Sequence, residues 1–434
     1  MAGQYRIICN RSKKMSLIKK PTTGMKDITP EEMALRNFVM DEIKKTYASF
    51  GFSQIETPAV EHIENLCSKQ GGENEKLIFK ILKRGEKLSI ADAKEENDLV
   101  DGGLRYDLTV PLCRFYSNNA ATLPKPFKAL QMGNVWRADR PQKGRFRQFM
   151  QCDIDILGEP SNLAEIELVL ATTTLLGRVG FKGFKVHIND RRILKAMASY
   201  SGFAEEDYDN VFIQLDKMDK IGLDGVCECL TEDGFSADAI AKYKALFEEF
   251  NKQEDQLGFL KETLGDFIEE NASDNLSEIL TAVEASKGAD CEIVFDPTLV
   301  RGMSYYTGTI FEIEMKELNC SVAGGGRYDK MIGKFTGQDT PACGFSIGFE
   351  RIITIMMEQG VKAPGTTEKE AFLIEKGIDG ERLGEIIAKA QELRAQGKTV
   401  LVTRMNKNKK FQKEQLEADG YVKFTDFYRE ALKN

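Results

Sequence analysis

Histidine is nearly absent: His62 and His187 are the only two in 434 residues. So few imidazoles disfavour both a metal-ligand cluster and a Ser-His-Asp triad. The nine cysteines are odd in number and scattered, with no C-x-x-C pair. Cys227 and Cys229 alone cannot complete a zinc site, so the expectation is reduced thiols in a cytoplasmic protein and no metal centre. No stretch approaches the roughly 18 apolar residues that span a bilayer, so no membrane contact is expected. An excess of positive charge is also lacking: 60 Lys and Arg stand against 68 Asp and Glu, a net charge of −8. That argues against nonspecific coating of nucleic acid and leaves room for a local basic patch.

What is present has globular proportions. With 42% hydrophobic and 29% charged residues, a disordered, collagenous or coiled-coil chain is excluded, and the length implies two or three domains. Residues 1–17 read as a basic N-terminal extension, with no acid before Asp27. Thr29-Pro30-Glu31-Glu32 opens a helix, since Thr29 can cap, Pro30 fits the first turn and Glu32 completes a capping box. Leu35, Phe38, Val39, Ile43 and Phe50 then share a face until Gly51 stops the helix. A strand over 52–55 runs towards Pro58.

Three later segments alternate with period two: 104–110, 146–156 and 306–315. Their polar faces carry Asp107 and Thr109, then Gln151, Asp153 and Asp155, then Glu312 and Glu314. This is the pattern of an antiparallel sheet packed on one side. Acidic helical stretches dominate about 198–290 and read as a helical insertion in a sheet domain spanning 18–360. After a linker, residues 368–434 read as a small α/β domain. The expected fold class is α+β.

The densest charge lies between two of the predicted strands. Arg137, Arg140, Lys143, Arg145 and Arg147 occupy a loop punctuated by Pro141 and Gly144, and arginine forks suit phosphate oxygens. Most charge runs are solvated surface. Here the next strand continues with Gln151, Asp153 and Asp155 on the face of Arg145 and Arg147, which suits a zwitterion beside a phosphate. Asp107 and Thr109 could receive an ammonium group, although a salt bridge from Asp107 to Arg105 or Arg114 is the plainer reading. Tyr305 and Tyr306, flanked by Gly302 and Gly308, are expected to point to opposite faces, one into the core and one to a ligand. The run Ala323-Gly324-Gly325-Gly326 fits an ordinary glycine turn and lacks the Lys-Ser/Thr of a P-loop. Residues 344–351 read as a strand turning into a helix. Arg351 in its first turn gains nothing from the helix dipole, so a bound anion would explain it.

Together these segments resemble the class II aminoacyl-tRNA synthetases, and specifically the histidyl-tRNA synthetase family, over about 18–358. The first helix and its following strand resemble the class's dimer-forming motif, the loop 137–147 the second motif and 344–351 the third. Arg-Gly-Met-Ser-Tyr-Tyr-Thr-Gly at 301–308 and Ala-Gly-Gly-Gly-Arg-Tyr-Asp at 323–329 resemble the narrower histidine signatures, with Ser304 where an acidic residue is usual. The resemblance implies an antiparallel-sheet catalytic domain with a helical insertion. It also implies a shortened relative of an anticodon-binding domain, in which 421–424 pass directly into a final helix. The activity implied is that of a histidine-tRNA ligase: L-histidine is activated with ATP, accompanied by Mg2+, and the histidyl group goes to the 3′ end of histidine tRNA, in a homodimer. By position, Arg137 and Arg301 are implied as catalytic, and Arg137, Arg145, Arg301 and Arg351 as ATP-binding. Asp107, Thr109 and Gln151 would receive the α-amino group, and Asp155 and Tyr306 would read the imidazole. Tyr328 completes the pocket, and Tyr305 is also carried over to the histidine site. A second reading is a non-catalytic, histidine-binding paralogue that regulates histidine biosynthesis; the presence of Arg137, Arg301, both tyrosines and Arg351 argues against it.

Overall fold

The computed structural model describes residues 17–67, 75–142, 144–300, 305–315, 320–364 and 368–429. Nearly all of the basic extension, together with Lys143, Arg301 and Ser304, lies outside the described residues. The chain divides into two compact units, the first ending at Val361 and the second beginning at Lys362.

The first helix, α1, spans Pro30–Ser49. The Thr29 hydroxyl accepts from the Glu32 amide at 3.4 Å, supplying the cap that its sequence predicts. The Glu32 carboxylate, expected to close a capping box, turns to Lys26 at 2.7 Å and Arg36 at 3.5 Å. Leu35, Val39, Ile43 and Tyr47 form the buried stripe, while Phe38 and Phe50 pack at its margin. Gly51, at φ +83°, turns the chain out of the helix.

The principal sheet has eight strands. In chain order they are β1 (Ser53–Ile55), β5 (Phe127–Trp136), β6 (Gln148–Leu157), β7 (Phe184–Asp190), β8 (Cys291–Phe295), β9 (Thr309–Met315), β10 (Cys320–Arg327) and β11 (Ala342–Ile347). Their spatial order is β1-β5-β6-β11-β10-β9-β7-β8. Pairing is antiparallel except for β1 with β5 and β7 with β8. A separate small sheet joins β2 (Val60–Glu61), β4 (Val100–Leu104) and β3 (Lys80–Leu82). Cys152, Ile154 and Ile156 of β6 and Phe345 and Ile347 of β11 face a core shared with α1 and the helix Leu163–Arg178. The opposite face of β6 is left for polar residues, as the alternation predicts.

Helices from Arg191–Ser201 to Ala272–Ser286 fill the chain between β7 and β8. Parallel neighbours require a long crossover, and here the crossover is built of successive helices. It begins at Arg191 rather than near 198, because the Asp190 carboxylate caps that helix by accepting from the Arg192 amide at 2.8 Å.

Two expected strands are corrected. The alternation over 104–110 is not a strand: β4 ends at Leu104, and a helix, Thr109–Asn119, has already begun. The Asp107 carboxylate accepts the Val110 amide at 3.1 Å, and Pro111 in the first turn costs the helix no needed donor. The alternation at 306–315 becomes strand only from Thr309. The glycine run, read as a turn, lies inside β10 between β9 and β11. A Cβ on Gly325 would come within 1.9 Å of the Gly344 carbonyl oxygen, so close strand packing, not a turn, is what those glycines serve.

The second unit holds β12 (Lys369–Ile374), the helix Gly380–Ala395, β13 (Thr399–Arg404), the helix Lys409–Ala418 and β14 (Tyr421–Phe427). Its parallel sheet runs β13-β12-β14. The helix expected directly after residue 424 is overturned, for β14 continues to Phe427. Thr425 donates to Glu370 at 2.6 Å, and the Phe427 ring lies 5.0 Å from that of Phe372, which holds the extended strand on β12.

Candidate active site

A cavity of about 470 Å³ opens on the polar face of β6, β10 and β11, bounded by the loop between β5 and β6. Register sets its floor. Asp155 stands opposite Gly344, and Asp153 opposite Ser346. A Cβ on Gly344 would lie 2.0 Å from an Asp155 oxygen, so only glycine leaves room for that carboxylate. The Tyr328 hydroxyl donates to Asp155 Oδ1 at 2.5 Å. Burial pushes the Asp155 carboxyl up to about 7; the Tyr328 hydrogen bond opposes this, and the charge of Asp107 adds to it. Burial also holds the Asp153 carboxyl well above the usual range, with the charge of Asp155 reinforcing it.

Tyr305, Tyr306 and Tyr328 form an aromatic wall. The first two rings lie 4.8 Å apart, and Tyr305 meets Tyr328 edge-on at 6.1 Å. Both members of the Tyr305-Tyr306 pair line the cavity. The expectation of opposite faces fails because these residues precede β9 and are not subject to strand alternation. Asp107 and Thr109 also line the cavity, from a loop and the first residue of a helix. The arginines expected to pair with Asp107 are engaged elsewhere: Arg105 donates to the Thr57 and Asn134 carbonyls at 2.7 and 2.8 Å, and Arg114 to Glu61 at 2.6 Å.

Arginines bound the other end. Arg137 donates through Nε to the Tyr106 carbonyl at 3.0 Å. Its guanidinium lies 4.3 Å from the Tyr106 ring centre and 5.2 Å from that of Phe149, a cation held between two π faces. Arg145 and Arg351 line the same cavity. Arg351, in the first turn of the helix Phe349–Glu358, donates to the Ser321 carbonyl. Arg147 instead braces the loop: its side chain reaches the Asp139 carbonyl and its amide the Gly24 carbonyl.

The cavity therefore gathers Asp107, Thr109, Arg137, Arg145, Gln151, Asp155, Tyr305, Tyr306, Tyr328 and Arg351; Arg301 is outside the described residues. Sequence reasoning gave no role to Tyr106, Phe149, Ser346 or Glu350, which also line it. Phe149 shares the period-two face of Gln151 and was findable. Tyr106 falls on the apolar side of the 104–110 alternation and carries no other signal. Arg327, inside the glycine signature, is structural: it forms a bidentate pair with the buried Glu165 at 2.6 and 2.7 Å. Burial works against its charge, but Glu165 raises its pKa.

Carboxylates and an amide at one end, with arginines at the other, suit a ligand that is cationic where it enters the floor and anionic towards the loop. That polarity, set on one face of a largely antiparallel sheet, is the architecture of a class II aminoacyl-tRNA synthetase catalytic domain. A sequence profile of the histidyl-tRNA synthetases matches residues 24–352. The histidine-tRNA ligase of Leifsonia xyli subsp. xyli is 40% identical over 414 residues, 93% of this chain and 94% of that protein. The probable histidine-tRNA ligase of Tropheryma whipplei is 45% identical over 352 residues, 78% and 80% of the two chains. The crystal structure of histidyl-tRNA synthetase from Nostoc sp. PCC 7120 aligns with a TM-score of 0.75 at 26% identity, covering 93% of this chain and 90% of that one. The chain belongs to the histidyl-tRNA synthetase family, a family of enzymes, and the non-catalytic reading is not favoured.

Proposed function

We propose that this cavity activates L-histidine with ATP and passes the histidyl group to the 3′ end of histidine tRNA. In this reading Asp155, oriented by Tyr328 and joined by Tyr306, accepts from the imidazole N–H. A site built to take up that donor rejects amino acids lacking it. Asp107, Thr109 and Gln151 receive the ammonium group, and Tyr305 closes the wall. Arg137, Arg145 and Arg351 hold the phosphates, and Arg301, assigned on its signature, faces the α-phosphate. A carboxylate oxygen of histidine attacks the α-phosphorus, the bond to the β-phosphate oxygen breaks, and pyrophosphate leaves. Two anions must meet for that step, so arginines fixed in advance lower the barrier. A terminal ribose hydroxyl of the tRNA then attacks the adenylate carbonyl and AMP departs.

Magnesium enters in this proposal as the ATP complex, a substrate. Among the described residues no group of three or more His, Cys, Asp or Glu is arranged to hold a metal ion. The proposed assembly is a homodimer through α1 and β1, on the resemblance of that segment to the class's dimer motif; light scattering at micromolar concentration tests it. No helix among the described residues is long and apolar enough to cross a membrane. A cytoplasmic location is proposed from the scattered cysteines.

The observation that carries the reading is the convergence of Asp155, Gln151 and three arginines on one cavity. Histidine-dependent exchange of pyrophosphate into ATP tests it. Histidine binding without exchange would move the protein to the non-catalytic class.

A further inference from the structure

Two buried polar atoms on the cavity floor, Gln151 Oε1 and Asp153 Oδ1, have no hydrogen-bond partner among the described residues. Their residues are only 8% and 5% exposed, and such groups are costly unless something completes them. Around them the bonding has a direction. The Gln151 amide nitrogen donates to Ser346 Oγ at 3.0 Å and lies 3.5 Å from Asp153 Oδ2. Ser346 is the cross-strand partner of Asp153, and its hydroxyl opposes the rise that burial imposes on the Asp153 pKa. Gln131, facing Asp153 from β5, is engaged elsewhere, donating to the Leu108 carbonyl at 3.1 Å and accepting from Thr57 at 3.2 Å.

We propose that Asp153 and Ser346 are positioning residues for the substrate's ammonium group, locking the Gln151 side chain so that its oxygen, not its NH2, faces that group. This rests on the histidine-binding reading above. Burial raises the Asp153 pKa, a bound ammonium favours the ionised form, and an ionised carboxylate only accepts. Ser346 Oγ and Asp153 Oδ2 then both face the Gln151 NH2 as acceptors, and Gln151 Oε1 is left to the cavity. Neither Asp153 nor Ser346 needs to touch the substrate. A glutamine free to turn would present donors to a cation half the time, and the lock removes that conformer. An arriving ammonium also brings positive charge to a floor holding Asp107, Asp153 and Asp155.

Calorimetric binding of L-histidine and of 3-(imidazol-4-yl)propionate, which lacks only the ammonium, separates positioning from general support. Asp153→Asn, whose amide can donate to Gln151 Oε1 and so favour the turned side chain, is expected to weaken histidine about tenfold or more. Affinity for the des-amino analogue should change less than about twofold. Ser346→Ala should show the same selectivity with a smaller loss, and it carries the test alone if Asp153→Asn does not fold. Equal loss of both ligands, or no loss of histidine, overturns the positioning role. A wild-type protein that binds no histidine overturns the functional reading itself.

Discussion

Arg36 and Glu350, 314 residues apart, meet in a buried bidentate pair, with Nη1 to Oε2 at 2.7 Å and Nη2 to Oε1 at 2.8 Å. Glu350 Oε1 also accepts the Met150 amide at 3.2 Å, and the Arg36 guanidinium lies 4.9 Å from the Phe349 ring centre. One ion pair thus joins α1, β6 and the helix that presents Arg351. Glu350 itself lines the cavity, so the pair couples the packing of the first helix to the shape of the site.

Removing one partner strands a buried charge. Arg36→Met is expected to lose about 3–5 kcal/mol of unfolding free energy, read from urea denaturation. The double replacement Arg36→Met, Glu350→Met should recover much of that loss, since no charge is left uncompensated. Additive losses would show that the pair contributes through something other than mutual neutralisation.

Asp155 illustrates a function–stability conflict. Its carboxyl is raised from 3.8 to about 7, chiefly by burial, so the folded state favours the protonated form. The sign follows: its contribution to stability is greatest below the unfolded pKa and is lost as pH rises through about 7. Asp155→Asn avoids that loss. Its melting temperature at pH 8 is expected to exceed the wild-type value by about 2–4 °C, with the gap closing towards pH 4. Histidine affinity should nevertheless fall at least about tenfold. A variant that melts lower at pH 8 would refute the account of burial.

Arg137 tests fork against point charge. Arg137→Lys keeps the charge but cannot lie flat between Tyr106 and Phe149 while donating to the Tyr106 carbonyl. Pyrophosphate exchange is expected to drop by about 10²–10³, with melting unchanged within a few degrees. A rate within threefold of wild type would remove Arg137 from the catalytic assignment.

His187 provides a pH signature away from the cavity. It sits between Asp296 at 2.9 Å and Glu314 at 3.2 Å. The Asp296 hydrogen bond is the largest cause of its raised pKa, which burial opposes. Asp219, from the helix Met218–Glu232, is raised first by burial and then by Asp296 and Glu314. Stabilisation by a cationic His187 is complete below the unfolded pKa near 6.5 and is lost as pH rises through the higher folded value. Melting curves of His187→Gln should therefore diverge most from wild type near pH 6 and converge in alkaline buffer. A gap that widens with pH would contradict the assignment.

Where alternation and topology agree, the sequence was enough. β6 is a long strand with Met150, Cys152, Ile154 and Ile156 packed on the core, so Gln151, Asp153 and Asp155 could be placed on one polar face from their spacing. The same pattern misled at 104–110, because a short alternating run also fits a loop entering a helix. The Asp107 carboxylate capturing the Val110 amide decides between them. The Tyr305-Tyr306 pair failed similarly, its alternation beginning before its strand.

Local spacing and residue chemistry, then, determined the class of fold, the cationic loop and the polar face of β6, and the resemblance supplied most of the other site residues. Only the tertiary structure decided which arginines reach that cavity and which are tied up, as Arg327 is by Glu165 and Arg147 by the Asp139 carbonyl. It alone set the raised pKa of Asp155 and joined Arg36 to Glu350. Hydrophobic period is a property of neighbours in the chain, whereas burial, desolvation and ion pairing depend on which distant segments exclude water together, and no residue spacing encodes that.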